Sequence, residues 1–142
     1  MKRKTIRTVE DFMSTAVITL KEGDELSGAQ LEMQLADIRH LPVVDKKGHV
    51  VGIVSDRDIL KNLSKLHDHH KPTPVAHIMA RRVRTVTPAT PAAEAASLMV
   101  EHKISCLPVI GDDEQIVGII TETDFVRIAE QALLGVDINR RE

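Results

Sequence analysis

Two stretches of this chain carry chemistry in their spacing: Gly52-Ile53-Val54-Ser55-Asp56-Arg57-Asp58 and Gly118-Ile119-Ile120-Thr121-Glu122-Thr123-Asp124. Each ends an apolar run with a hydroxyl, Ser55 or Thr121, and sets a carboxylate, Asp58 or Asp124, three residues later. One reading is architectural. A hydroxyl at a helix N-cap with an acid three residues on forms a capping box, which satisfies backbone N–H groups that the first turn leaves without partners. The other reading is ligand chemistry. A helix N-terminus offers free N–H groups and a favourable dipole to an anion, and the hydroxyl and carboxylate can bond the hydroxyls of a ribose. The two are compatible, since Ser55 can cap while Asp58 faces a cleft. The glycine that opens each stretch allows close backbone approach.

The elements that position these residues are written twice. Sliding the sequence by 66 residues brings Val9–Leu60 onto Val75–Val126 without a gap, with 14 of 52 positions identical. Met13 meets Met79, Met33 meets Met99, Leu41-Pro42-Val43 meets Leu107-Pro108-Val109, and Asp58 meets Asp124. Such internal repetition is a duplication. In each copy a short amphipathic turn (9–13, 75–79) leads to a brief strand, 17–20 or 83–86. A helix follows, with Leu26, Ala29 and Met33 on its apolar stripe in the first copy and Ala92, Ala95, Ala96 and Met99 in the second. Thr90 is the expected cap of the second helix and Pro91 its first residue. Gly28 inside the first helix costs roughly 1 kcal/mol relative to alanine. Two strands come next, 40–44 with 49–55 and 106–110 with 115–121, joined by the turns 45–48 and 111–114. A closing helix begins after Ser55 or Thr121.

Composition bounds the rest. With 142 residues, 42% apolar and 28% charged, the chain has the balance of a globular protein. A repeat of about 52 residues buries little surface alone, which calls for two copies packed together. The single cysteine, Cys106, excludes an internal disulfide framework and fits a reducing compartment. The longest apolar runs are too short to span a bilayer, and no apolar stretch follows the basic start Met1–Arg7, so a cytoplasmic protein is expected. There is no Trp or Tyr and the net charge is −2, which argues against nucleic-acid binding. His67-Asp68-His69-His70 is expected to be a solvated connector rather than a metal site. Phosphate-loop, nucleophile-elbow and zinc-helix motifs are absent from the sequence, so no catalysis is expected.

The paired Leu-Pro-Val strands and the Gly-Ile-Val-Ser-x-x-Asp and Gly-Ile-Ile-Thr-x-x-Asp motifs resemble the tandem cystathionine β-synthase (CBS) domain pair, or Bateman module. The resemblance covers about residues 8–134. It implies an α/β (α+β) fold of two βαββα repeats packed with pseudo-twofold symmetry. Repeat 1 would span 8–66, a connector 67–74 and repeat 2 75–134, with tails at 1–7 and 135–142. It further implies a regulatory module that binds AMP, ADP, ATP or S-adenosylmethionine in clefts and pairs into a homodimer. Carried over by position, Asp58 and Asp124 are the ribose carboxylates, with Ser55 and Thr121 as companion hydroxyls. Asp58 would face Arg81, Arg82, Ser105 and Cys106, with Ile53 and Arg57 from its own strand end. Asp124 would face Thr15, Ala16, Arg39 and His40, with Ile119 and Thr123 from its own side. The cleft at Asp58 would then prefer the more highly phosphorylated nucleotide, through the forked donors of Arg57, Arg81 and Arg82. No cofactor is required on this reading beyond an adenine nucleotide as regulatory ligand, with Mg²⁺ as companion of a triphosphate. The regulated partner is an unknown protein. The alternatives are an S-adenosylmethionine sensor and an interaction scaffold that binds no nucleotide.

Overall fold

The computed structural model describes residues 6–66 and 70–135. The basic tail up to Arg3 and Lys4 lies outside this range, as do His67, Asp68 and His69 of the histidine-rich connector. The described chain forms a mixed α+β fold of small sheets and helices. In order, the elements are β1 (Leu20–Lys21), α1 (Leu26–Ala36), β2 (His40–Val44), β3 (Val50–Ser55), α2 (Asp56–Lys61), α3 (Leu63–Leu66), α4 (Ala92–His102), β4 (Cys106–Ile110), β5 (Ile116–Thr121) and α5 (Glu122–Leu133). Short 3₁₀ turns at Val9–Asp11 and Val75–His77 begin the two repeats.

The duplicated halves are not the compact units. Residues 18–83 form one unit, which we call continuous. The described residues up to Val17, together with those from Arg84 onward, form the other, which we call split. The lead segment of each repeat thus packs with the body of the other repeat. Its attachment is by backbone bonds. In the continuous unit Leu26 N–H donates to Thr73 O and Val75 N–H to Asp24 O, at 2.9 and 2.7 Å. In the split unit Val9 N–H donates to Thr90 O and Ala92 N–H to Arg7 O, at 2.8 and 2.9 Å.

Each unit has its own core, and the cores correspond by the 66-residue shift. Leu26, Ala29, Met33, Leu41, Val43, Val54 and Val75 are buried together in the continuous unit. Ala92, Ala95, Met99, Leu107, Val109, Ile120 and Val9 fill the same roles in the split unit. The apolar stripes read from helical spacing are therefore the buried faces of α1 and α4, with Ala96 alone only half-buried, and Met33, Met79 and Met99 are core residues. Leu41 and Leu107 are fully buried beside the Pro42 and Pro108 of their strands, as are Val43 and Val109.

The hairpins stand where the sequence put them, with β3 and β5 beginning one residue later than expected. β2 pairs antiparallel with β3 and β4 with β5, in the same register in both copies: Pro42 faces Ile53, and Pro108 faces Ile119. Both ladders carry an irregularity at the matching place, between Val43 and Val44 and between Val109 and Ile110. In the connecting turns Gly48 (φ 83°) and Glu114 (φ 62°) occupy the same left-handed position, so the second copy places a side chain where glycine fits most easily.

Two local expectations are corrected. The leading strand is not 17–20 but Leu20–Lys21, parallel to β2. At the matching place of the second copy the described residues show a single bridge, Val86 to Val109, rather than a strand. Nor does Thr90 cap α4. Its hydroxyl oxygen accepts the Thr87 N–H at 3.0 Å and holds the preceding turn, so Pro91 becomes the N-cap and Ala92 the first helical residue.

Candidate functional site

Both motifs end a hairpin strand and begin a helix, and both form the capping box. In the continuous unit Ser55 N–H and Ser55 Oγ–H donate to Asp58 Oδ2 at 2.8 and 3.0 Å, and Asp58 N–H donates back to Ser55 Oγ at 3.2 Å. In the split unit Thr121 N–H donates to Asp124 Oδ2 at 2.9 Å and the Thr121 hydroxyl reaches it at 3.4 Å. The architectural reading is therefore correct for both. It also leaves chemistry available. Every bond that Asp58 accepts from the described residues ends on Oδ2, so Oδ1 keeps its acceptor capacity. Asp58 is half-buried, whereas Asp124 is 7% exposed.

A second strand edge lies beside each motif. Ile53 and Ala80 exchange both backbone bonds, at 2.9 and 3.0 Å, and Ile119 and Ser14 do the same at 2.9 Å each. The lead segment of the opposite repeat is thus stitched to the strand two residues before the capping hydroxyl. This contact explains the glycines. A Cβ on Gly52 would run into the Met79 side chain, with Cγ 2.6 Å away. One on Gly118 would meet Met13 Sδ at 2.6 Å and the Ser14 carbonyl at 3.0 Å. Ala80 and Ser14, which make the bridges, were missed by sequence reasoning, although Gly52 and Gly118 beside Met79 and Met13 were a signal for them.

The bridges fix which residues share a unit. In the continuous unit Arg81 and Arg82 follow Ala80, so they share this unit with Asp58, Ile53 and Arg57. All three arginines are exposed, and Arg81 donates to the Ala76 carbonyl at 2.9 Å. In the split unit Thr15 and Ala16 follow Ser14 and share the unit with Asp124, Ile119 and Thr123.

Four further residues share a unit with the other carboxylate from the one that the resemblance set them against. His40 pairs with Ser55 across β2 and β3, and Asp56 N–H donates to the Arg39 carbonyl at 3.0 Å, so both share the continuous unit with Asp58. Cys106 pairs with Thr121, and Glu122 N–H donates to the Ser105 carbonyl at 3.0 Å, so both share the split unit with Asp124. The cause is the hairpin itself, which ties the start of its first strand to the end of its second. Cys106 is buried, and desolvation, with the Asp124 charge adding to it, pushes its thiol up to about 12 from 9.0. Such a thiol is a poor nucleophile and a poor metal ligand. Among the described residues no group of three His, Cys, Asp or Glu is placed to hold a metal ion, and no helix is long and apolar enough to cross a membrane.

A duplicated α+β unit with a Ser/Thr-capped carboxylate at the end of each hairpin is the architecture of paired CBS domains. The chain belongs to the CBS domain family, whose model matches residues 9–65 and again 75–130. Among solved structures it is similar to the CBS domain pair of protein MJ0100 in complex with 5′-methylthioadenosine and S-adenosyl-L-methionine. That pair is 32% identical with a TM-score of 0.81, and the match covers 90% of this chain and 99% of the other. It is also similar to CBSX2 in complex with AMP, 31% identical with a TM-score of 0.74, over 89% and 98% of the two chains. A homoserine O-acetyltransferase of Methanohalobium evestigatum is 34% identical over 123 residues, 87% of this chain and 24% of that protein. The chain thus spans about a quarter of the length of this relative and of two further curated relatives.

Proposed function

We propose that this chain is a regulatory module that binds adenosine ligands at Asp58 and Asp124. The observation that carries it is the match, over about nine tenths of the chain, to CBS pairs solved with AMP and with two other adenosine compounds. The local chemistry agrees. The capping bonds hold the Asp58 carboxylate in one orientation through Oδ2 and leave Oδ1 to accept from a ribose hydroxyl. Ile53 and Ala80 beside it, and Ile119 beside Asp124, supply apolar surface for a base. Ser55, Thr121, Arg57, Thr123, Arg81, Arg82, Thr15 and Ala16 complete the two candidate sites, with Arg39 and His40 at the first and Ser105 and Cys106 at the second. A triphosphate would bring its own Mg²⁺.

The role is regulation rather than catalysis. The regulated protein is a separate chain or a larger protein of which such a module is part, as in the acetyltransferase relative. Pairing with a second copy is part of the same reading. Val126, Leu133 and Leu134, from α5 and the residue after it, are 66%, 87% and 72% exposed and offer an apolar surface for it.

The test is thermal unfolding with AMP, ADP, ATP, S-adenosylmethionine and 5′-methylthioadenosine, for wild type, Asp58→Ala and Asp124→Ala. A ligand at about 100 times its dissociation constant adds about 2.7 kcal/mol. Because both carboxylates also cap helices, each variant is compared with its own ligand-free form. Stabilisation by at least one compound, lost stepwise in the variants, is expected. No stabilisation by any of them would refute adenosine binding and leave an interaction scaffold.

A further inference from the structure

The strand pairings that move Arg39 and Ser105 also change the charge of the two sites. Arg39, Arg57, Arg81 and Arg82 all lie in the continuous unit, on segments that meet at the end of β3. Arg57 stands one residue before Asp58, Arg39 is bonded through its carbonyl to Asp56, and Arg81 and Arg82 follow the residue bridged to Ile53. All four are exposed. Shifted by 66 residues, their counterparts in the split unit are Ser105, Thr123, Thr15 and Ala16, none of them charged. The acids are the same in both, Asp56 and Asp58 against Glu122 and Asp124. Over these matched positions the first site sums to +2 and the second to −2.

We infer that the two sites take different adenosine ligands: a polyphosphate at Asp58, and at Asp124 a nucleoside with no phosphate on its 5′ end. This rests on the adenosine reading above and deepens it. Guanidinium groups bind phosphate oxygens through paired N–H donors. Arg81 spends a donor on the Ala76 carbonyl, which steadies the side chain and leaves the rest of its fork. The side chains of Arg39, Arg57 and Arg82 have no hydrogen-bond or ion-pair partner among the described residues, so they can turn to a ligand without breaking a bond. At Asp124 the acids meet no opposing cation at these positions. A phosphate chain there would face two carboxylates, whereas the thioether of 5′-methylthioadenosine would meet Thr, Ser and Ala side chains at no electrostatic cost.

The experiment is calorimetric titration of the full chain with ATP and with 5′-methylthioadenosine, separately and together. Wild type is expected to bind both at once. Arg57→Thr with Arg82→Ala, which leaves both capping boxes intact, is expected to weaken ATP by about tenfold or more and leave 5′-methylthioadenosine unchanged. Thr123→Arg with Thr15→Arg is expected to add ATP binding at the second site. ATP affinity should fall with added salt, and that of 5′-methylthioadenosine should not. Competition between the two ligands for one site, or an ATP affinity untouched in the Arg57→Thr, Arg82→Ala protein, would overturn the inference while leaving adenosine binding standing. If neither ligand bound wild type, the adenosine reading would fall and this inference with it.

Discussion

Alanine at Gly118 and alanine at Gly28 are the same chemical change with opposite expected effects on stability. At Gly118 the new Cβ would lie 2.6 Å from Met13 Sδ and 3.0 Å from the Ser14 carbonyl oxygen. The sulfur can rotate away. The carbonyl cannot, because it accepts the Ile119 N–H at 2.9 Å in the bridge that attaches the lead segment to β5. Overpacking of this kind costs about 1–3 kcal/mol. A gain of about 0.4–1 kcal/mol, from the narrower unfolded ensemble of alanine, offsets part of it. The net expectation is a loss of about 1–2 kcal/mol. At Gly28, inside α1, a Cβ would meet nothing within 4 Å, and alanine should add about 0.8–1 kcal/mol. Urea unfolding reads both, provided that the slope with denaturant is unchanged. Adding Met13→Ala to Gly118→Ala should not restore wild-type stability, since the carbonyl contact remains. A Gly118→Ala protein as stable as wild type would show that the bridge yields freely, and would refute the claim that it fixes the residues after Ser14.

Two other outcomes follow from burial. Asp124→Ala should cost more than Asp58→Ala, about 2 kcal/mol against about 1, because it leaves Thr121 N–H without its acceptor in a more buried place. Equal losses in urea unfolding would remove burial as the deciding factor. The folded Cys106 thiol holds its proton more tightly than the unfolded one. Its contribution to stability is therefore whole below about pH 9 and is lost as pH rises toward 12, at up to about 1.4 kcal/mol per pH unit. Cys106→Ala should flatten that part of the alkaline decline, and an unchanged slope would refute the assignment.

The hairpins and the boxes were legible because they are local. Leu41-Pro42-Val43 and Leu107-Pro108-Val109 alternate against Val51–Val54 and Val117–Ile120 across short turns, and a hydroxyl three residues before an acid needs only one helical turn to close. The two-residue β1 was misplaced because its pairing to β2 is set by the packing of Leu20 and not by its own sequence. Thr90 was misread because a turn and a helix compete for the same hydroxyl, and the Thr87 N–H has it. The repeat period also hides which copy a lead segment joins. Val9 and Val75 read alike, and only the bridges Ser14–Ile119 and Ile53–Ala80 tell them apart. Likewise the hairpin pairings, and not the spacing, put Arg39 and His40 in the unit of Asp58 and Ser105 and Cys106 in that of Asp124.

The exchange of lead segments also sets an order of assembly. Ile53 and Ala80 are near in sequence, so all the partners of the continuous unit have left the ribosome once Val83 has emerged. The split unit closes between Ser14 and Ile119, and its first residues must wait until Ile119 has been made. Closing so long a loop is slow, although each doubling of its length adds only about 0.6 kcal/mol. During synthesis Val9 and Phe12, both buried in the finished protein, are exposed as an apolar hook with no core to enter. The unit holding Asp58 is therefore the one that can mature first, and the surface around Asp124 comes into being after it.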